Sequence, residues 1–372
     1  MLPRECRIPG IQFIFQNLLL TILSISLIDC WSFSLFAQTA TGETTPDATV
    51  VPSRESIAES SLSTIVFSTP GASIASWTPA DPESIVGRVV DFNAFNIVYH
   101  SSPDGVLRTR PSSDVAKISF QWLSEEGTAA QVAFESGEYA EVIRLGKLAI
   151  AGGKLSSWQQ RLLVAKMVDA FWLSNQRVIA GKLFLSLIKD SSPLLVYASA
   201  PLIWQPAKID SAMNEAAMGW MKDSESVDAQ LLGASWLLGT SNSTEVIETL
   251  QKISRQSNVQ LARLATAQQW RVATPKDVAN KFPEWRAVRD LLPVALQLGP
   301  TLTIAEKLER ASLQPEALQE YIRIIAVEPP TFQGSDFAKQ RAAEILRLVN
   351  RPEEANKLLT SPLLIAPPLT SP

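Results

Sequence analysis

The order of apolar and polar positions divides the chain into four stretches of different character. Apolar residues dominate positions 11–36, whereas residues 38–84 are rich in Ser, Thr, Pro and Ala and show little periodicity. Short apolar runs broken by turn residues follow over 85–121. From residue 122 onward, apolar residues recur at intervals of three and four, as they do on one face of a helix. The pattern therefore predicts a targeting segment, a spacer, a small β domain and a mainly α-helical body.

The first stretch has the parts of a secretory signal. Arg4 and Arg7 form a short basic region, the apolar run follows, and small residues surround Ala37 and Ala40. We expect cleavage after Ala37, or else after Ala40, which makes residues 1–37 a signal peptide. An uncleaved N-terminal anchor is the alternative, because about 20 apolar residues can span a bilayer. The sequence thus predicts an exported protein, periplasmic, in the cell envelope or secreted, with membrane or cell-wall association as a further option.

Composition narrows the classes of function. Both cysteines, Cys6 and Cys30, lie in the first segment, and His100 is the only histidine. The exported chain therefore has no cysteine for a thiolate ligand or nucleophile, and one histidine is too few for an imidazole metal site and does not favour a catalytic triad. The 33 basic and 37 acidic side chains leave a net charge of -4, which does not favour contact with nucleic-acid phosphates. We expect no catalytic activity, no cofactor, no metal and no nucleic-acid partner, and the oligomeric state stays open.

The next two stretches predict a spacer and a sheet. We interpret residues 38–84 as a disordered spacer, within which Leu62–Phe67 either adds a strand or is merely apolar. Residues 85–121 predict an antiparallel meander that closes into a small barrel of SH3-like or Sm-like size, or packs on the helices that follow. Its strands are expected at four apolar runs separated by Asn, Pro, Asp and Gly: Ile85–Phe92, Phe95–His100, Val106–Arg110 and Val115–Phe120.

The helical body, residues 122–360, contains degenerate internal repeats, and a flexible tail is expected at 361–372. A small residue followed by an aromatic or large apolar residue recurs at related spacings, and a 38-residue offset joins Ala317 to Ala355. In the middle, VDAQLLGASWLLG and VQLARLATAQQWR align at an offset of 32 residues. The positions that carry the first pattern are Gly137, Tyr139, Val142, Ala149, Ala180, Phe184, Leu187, Ala317, Tyr321, Ile324 and Pro329.

This pattern resembles the tetratricopeptide-like superfamily, with a middle part closer to HEAT-type helix pairs. The resemblance implies a right-handed helical-repeat α-solenoid without catalytic activity, which binds a protein or peptide partner as a scaffold. In such repeats the first helix of each pair lines the concave face. Carried over by position, that face holds Gln131, Phe134, Asp169, Trp172, Glu306, Glu309, Arg310, Gln340, Glu344 and Arg347.

Trp204 stands apart from the helical pattern. It lies in the segment APLIWQPAK between Pro201 and Pro206, in a connection between helices. An exposed indole there stacks on a sugar or inserts into a partner, whereas a buried one caps the helical core. The alternative function is therefore a carbohydrate- or cell-wall-binding module that uses Trp204 and the β domain.

Overall fold

The computed structural model describes residues 62–68, 83–189, 192–240, 243–327 and 333–360. The chain divides into two compact units, residues 1–53 and 54–372, and all described residues belong to the second. The expected signal or anchor, most of the expected spacer and the expected tail lie outside the described residues. Within the described part, no helix combines the length and apolar character needed to cross a membrane.

The β domain is a five-stranded antiparallel sheet in the order β4-β3-β2-β1-β5. A short 3-10 turn, Ser112–Asp114, joins its last two strands. The strands are β1 (Ser63–Phe67), β2 (Glu83–Phe92), β3 (Asn96–Ser101), β4 (Leu107–Pro111) and β5 (Val115–Ser119).

Strand β1 corrects two expectations. It lies inside the stretch 38–84, so the spacer prediction is wrong for residues 63–67, and the strand alternative for that run is the observed one. It also sits between β2 and β5, so a simple meander holds only for β2, β3 and β4. The physical reason is burial. Ile65 and Phe67 are buried in the sheet core, so this short apolar run has a lower free energy inside the sheet than in water.

The sheet packs on the helices through one shared core. Phe92, Ile97 and Tyr99 are buried together with Trp158 of the helical body. At Gly87 the neighbouring strand approaches so closely that an added Cβ would lie 2.6 Å from the carbonyl oxygen of His100, which explains the glycine. The His100 Nδ1 lies 2.9 Å from the Gly105 carbonyl oxygen, within the β3–β4 hairpin.

The rest of the described chain is mainly helical. Side chains of Ser124, Asp210, Ser226, Asn258 and Thr274 cap helix N-termini by accepting backbone N–H bonds. The helices are α1 (Glu125–Glu135), α2 (Tyr139–Ala151), α3 (Ser157–Leu173), α4 (Arg177–Ile188), α5 (Ser211–Met221), α6 (Val227–Leu237), α7 (Ser243–Ile253), α8 (Val259–Trp270), α9 (Pro275–Asp290), α10 (Leu298–Arg310), α11 (Gln314–Val327), α12 (Gln333–Leu348) and α13 (Pro352–Thr360).

Helices adjacent in sequence pack on one another, among them α1 on α2, α3 on α4, α5 on α6 and α10 on α11. The small residues of the sequence pattern lie at these contacts: Ala180, Ala317 and Ala355 are fully buried. Tyr321 is buried beside them in the C-terminal core. A small residue lets two helices approach, and the aromatic ring fills the space next to it.

The longest departure from this regular packing is the connection between α4 and α5. It forms a 3-10 turn at Leu194–Ser199 and then runs without regular structure to residue 210. Trp204 therefore lies in a connection, where the two flanking prolines predict it.

Candidate functional site

An open cleft of about 200 Å³ lies beside the α4–α5 connection. Its walls come from residues 203–209 of the connection, the end of α6 with the turn after it, the end of α8, and one face of α10. This volume is below the roughly 300–1,000 Å³ of pockets for drug-sized ligands, so the cleft has room for one side chain or a similarly small group.

Three hydrogen bonds hold the connection in place. The Trp236 Nε1–H donates to the Pro201 carbonyl oxygen at 2.7 Å. The Ile203 N–H donates to Ser235 Oγ at 2.9 Å. Further along, Gln205 Nε2 donates to Glu306 Oε1 at 2.8 Å. The first two bonds fasten the connection to α6 and the third fastens it to α10, so the cleft wall is rigidly supported.

Trp204 forms one wall of the cleft and is half-buried rather than exposed. Its ring lies directly against the first turn of α10, where an added Cβ on Gly299 would be 2.1 Å from both Cε2 and Nε1. It also packs against two hydrophobic cores, one around α6 and one around α10. The indole therefore caps the helical core and lines the cleft at the same time.

Charged side chains also line the cleft. Arg271, Lys307 and Arg310 lie there together with Glu306, which gives three cations and one carboxylate among the described residues of the cleft. The Glu306 side chain is 11% exposed and lies 3.7 Å from the guanidinium of Arg310, which is 58% exposed. The cleft is thus locally basic in a chain whose formal net charge is -4.

Burial shifts the pKa of Glu306, Arg271 and Lys307. It raises the pKa of Glu306, although the hydrogen bond from Gln205 and the nearby cations oppose the rise. It lowers the pKa of Arg271 to about 10. The pKa of Lys307 is lowered by burial and then by the positive charge of Arg310. Arg271 keeps its charge at neutral pH, and the cleft holds three cations beside one carboxylate among its described residues.

Polar groups in the cleft remain without partners among the described residues. Thr303 Oγ1 is buried and has no hydrogen bond. Arg271 uses only Nη1, which donates to the Ser235 carbonyl oxygen at 2.8 Å and to Gln268 Oε1 at 2.7 Å. Its Nε and Nη2 donate to no described residue. A buried polar group normally has a partner, so the Thr303 hydroxyl favours a ligand or ordered water in the cleft.

Of the residues predicted from the sequence, Trp204, Glu306 and Arg310 come together in this cleft. Glu309, on the same helix, instead accepts a hydrogen bond from the Tyr321 hydroxyl at 2.8 Å and pairs with Arg341. It therefore links α10 to α11 and α12.

The other predicted residues lie elsewhere. Asp169 accepts a hydrogen bond from Ser199 Oγ at 2.8 Å, and burial raises its pKa to about 6. Trp172 packs 6.0 Å from the Trp236 ring, measured between centroids, and its own ring lies under Arg177. Trp172 thus belongs to the packing between α3, α4 and α6, and Asp169 binds the α4–α5 connection.

The predicted residues at the two ends of the helical body are also separate from the cleft. Phe134 is buried against Tyr139, and Gln131 donates a hydrogen bond to Glu135 on its own helix. On α12, the side chain of Glu344 pairs with Arg341. Gln340, Glu344 and Arg347 lie exposed there. The ten residues predicted to share one concave face are thus distributed over at least three regions.

The cleft contains residues that the sequence did not single out. Arg271 directly follows α8, and Lys307 lies one position after Glu306 on α10. Their meeting depends on how α8 packs against α10, which no local pattern shows. For Lys307, the sequence offered one signal, which is its position next to Glu306, a residue predicted for the site.

Within the described ranges, no group of three or more His, Cys, Asp and Glu side chains has an arrangement suited to a metal ion. No protein-family model, curated protein or solved structure matches the chain.

Proposed function

We propose that this protein is an exported, non-catalytic scaffold that binds a protein or peptide partner in the cell envelope through its helical surface. The cleft beside Trp204 is the contact point of this proposal. The observation that carries it is the convergence of Trp204, Glu306 and Arg310 on one open cleft with an unpartnered buried hydroxyl at Thr303. Aromatic and arginine side chains at the centre of a concave site are typical anchors for a partner.

The same proposal includes the finer architecture. The strand order, with the last strand beside the first and a 3-10 turn before it, supports an SH3-like closure of the β domain. The recurrence of buried small residues at helix contacts supports a right-handed solenoid of tetratricopeptide or HEAT type. In this arrangement the sheet packs against α3, where Trp158 joins its core.

The test is affinity capture of partners from an envelope extract with the purified full chain. Arg310→Ala removes the most exposed charge of the cleft, and Arg144→Ala is the matched control because Arg144 is exposed on α2 and also pairs with a carboxylate. We expect Arg310→Ala to lose partners that the unchanged protein and the Arg144→Ala control retain. Retention of every specific partner by Arg310→Ala and by Lys307→Ala would contradict the proposal.

A carbohydrate- or wall-binding function is the second candidate. The observation that favours it is that an indole and several polar and charged groups line one small cleft, because sugars bind to an aromatic face and to hydrogen-bonding side chains together. Co-sedimentation with purified wall glycan tests it. Binding that Trp204→Ala abolishes and Arg310→Ala leaves unchanged would favour this candidate over the scaffold.

A further inference from the structure

The cleft beside Trp204 has an imbalance that its own residues do not resolve. Three cations face one carboxylate, and that carboxylate already accepts a hydrogen bond from Gln205. Lys307 Nζ donates to the Ala273 carbonyl oxygen at 3.1 Å, which neutralises none of its charge. Like charges placed together in a partly buried site repel one another, and an anion that enters relieves the repulsion.

The donors that such an anion needs are present. Arg271 has two guanidinium nitrogens without a described partner, and the Arg310 side chain is largely exposed at the cleft. Thr303 adds a buried hydroxyl without a hydrogen bond. A guanidinium presents its N–H groups as a planar fork that matches the two oxygens of a carboxylate.

Apolar side chains also line the cleft. Ile203, Trp204, Ile209 and Leu238 lie there together with the cations. A ligand that contacts both sets of side chains carries a negative charge and a small hydrocarbon group. The volume of about 200 Å³ limits that group to roughly one side chain.

We propose that the cleft beside Trp204 binds a carboxylate attached to a small apolar group, with Arg271, Lys307 and Arg310 holding the carboxylate. The group belongs either to a free small acid or to an acidic side chain of the bound partner, and the chemistry recognised is the same. The inference rests on the proposed function only in that both use this cleft.

A phosphate group fits less well. It carries about -1.5 to -2 charges at neutral pH and three acceptor oxygens, and it would place them beside the Glu306 carboxylate. A single carboxylate leaves the lining with a formal surplus of one positive charge, whereas a doubly charged phosphate removes the surplus but meets Glu306 at close range. Glu306 thus selects for the singly charged ligand.

Isothermal titration calorimetry on the purified full chain tests the inference with matched probes. The free-acid pair is 4-methylpentanoate and its neutral amide. The peptide pair is acetyl-Leu-Glu-Leu-amide and acetyl-Leu-Gln-Leu-amide, and inorganic phosphate is the fifth probe. We expect each acid to bind at least about tenfold more tightly than its neutral partner, because a hydrogen bond to a charged group contributes that much or more.

Variants show whether the cleft is responsible. Arg310→Gln and Lys307→Gln each keep polar character and remove one charge, and each is expected to weaken the binding of the acid about tenfold. Arg144→Gln, remote on α2, is expected to leave it unchanged. Circular dichroism of each variant confirms that it is folded.

The outcomes separate the two sources and the two proposals. Preference for 4-methylpentanoate supports a free acid, and preference confined to the Glu peptide supports a side chain of the partner. Equal binding of acids and neutral partners, no binding of any probe, or tighter binding of phosphate overturns the inference. Should Arg310→Ala still lose its captured partners in those cases, the scaffold proposal survives without it.

Discussion

The contact between Trp204 and Gly299 gives a sharp test of how the cleft is built. Gly299→Ala would place a methyl group 2.1 Å from Cε2 and Nε1 and 2.3 Å from Cδ2 of the indole. Ordinary carbon contacts begin near 3.5 Å, so the ring must move by more than 1 Å. The indole is a rigid fused ring packed between two hydrophobic cores, so it cannot make room by a small side-chain rotation. Overpacking of this kind costs about 1–3 kcal/mol.

A second helical glycine provides the control with the opposite sign. Gly219 lies in α5, and nothing is within 4 Å of the position of its added Cβ. Gly219→Ala should therefore stabilise the protein by about 0.5–1 kcal/mol, because alanine favours the helix. Chemical denaturation followed by tryptophan fluorescence measures both free energies of unfolding. If Gly299→Ala is as stable as the unchanged protein and binds ligands at the cleft normally, the description of Trp204 as a fixed wall is wrong.

Three further predictions concern other parts of the helical body. Glu320→Gln breaks a pair between side chains that are 0% and 2% exposed and leaves Asp290 as the remaining carboxylate beside Arg289 among the described residues, so it should cost at most about 3–5 kcal/mol in the free energy of unfolding. Asp169 has a folded-state pKa raised to about 6 by burial, so the folded state binds its proton more tightly. Stability should fall as pH rises from about 4 to about 6, and Asp169→Asn should remove that fall. Ser235→Ala removes both hydrogen bonds to Ile203, which should cost about 1–3 kcal/mol and weaken binding at the cleft.

Each of these has a control and a contrary result. For Glu320, the matched variant is Glu354→Gln, whose exposed ion pair with Arg351 should change stability by less than about 1 kcal/mol. Equal effects of the two variants would show that burial does not set the energy of the pair. For Asp169, denaturation curves of both proteins across the pH range decide, and parallel curves would contradict the prediction. For Ser235, unchanged stability together with unchanged cleft binding would show that the connection needs no anchor at α6.

Local sequence signals were enough to predict elements whose ends are set by residues nearby in the chain. The strands β2 to β5 lie within two residues of the expected runs, because Asn, Pro, Asp and Gly mark their ends. For β1 the sequence leaves a strand as one of two alternatives, since its pairing with β5 joins residues about fifty positions apart. Trp204 was found because two prolines set its segment apart from the helices.

The cleft as a whole was beyond the reach of the sequence. Arg271 lies 35 residues before Glu306, and their contact with a common cleft follows from the packing of α8 beside α10. Two residues of the predicted concave face, Phe134 and Trp172, are engaged in packing, which the repeat pattern does not show. A repeat pattern identifies equivalent positions in successive helix pairs. Whether the side chain at each position is buried or exposed depends on neighbouring residues, which differ along the array.

The α4–α5 connection also bears on how the helical body comes apart. An array in which each helix contacts only its sequence neighbours can lose its ends pair by pair. Here Ile203 is tied to Ser235 on α6, and Gln205 is tied to Glu306, 101 residues away, on α10. Because the connection is bonded to both helices, separating α6 from α10 breaks at least one of these hydrogen bonds. We expect the segment from α6 to α10 to exchange its amide hydrogens as one cooperative unit, bounded by more labile helices at both ends.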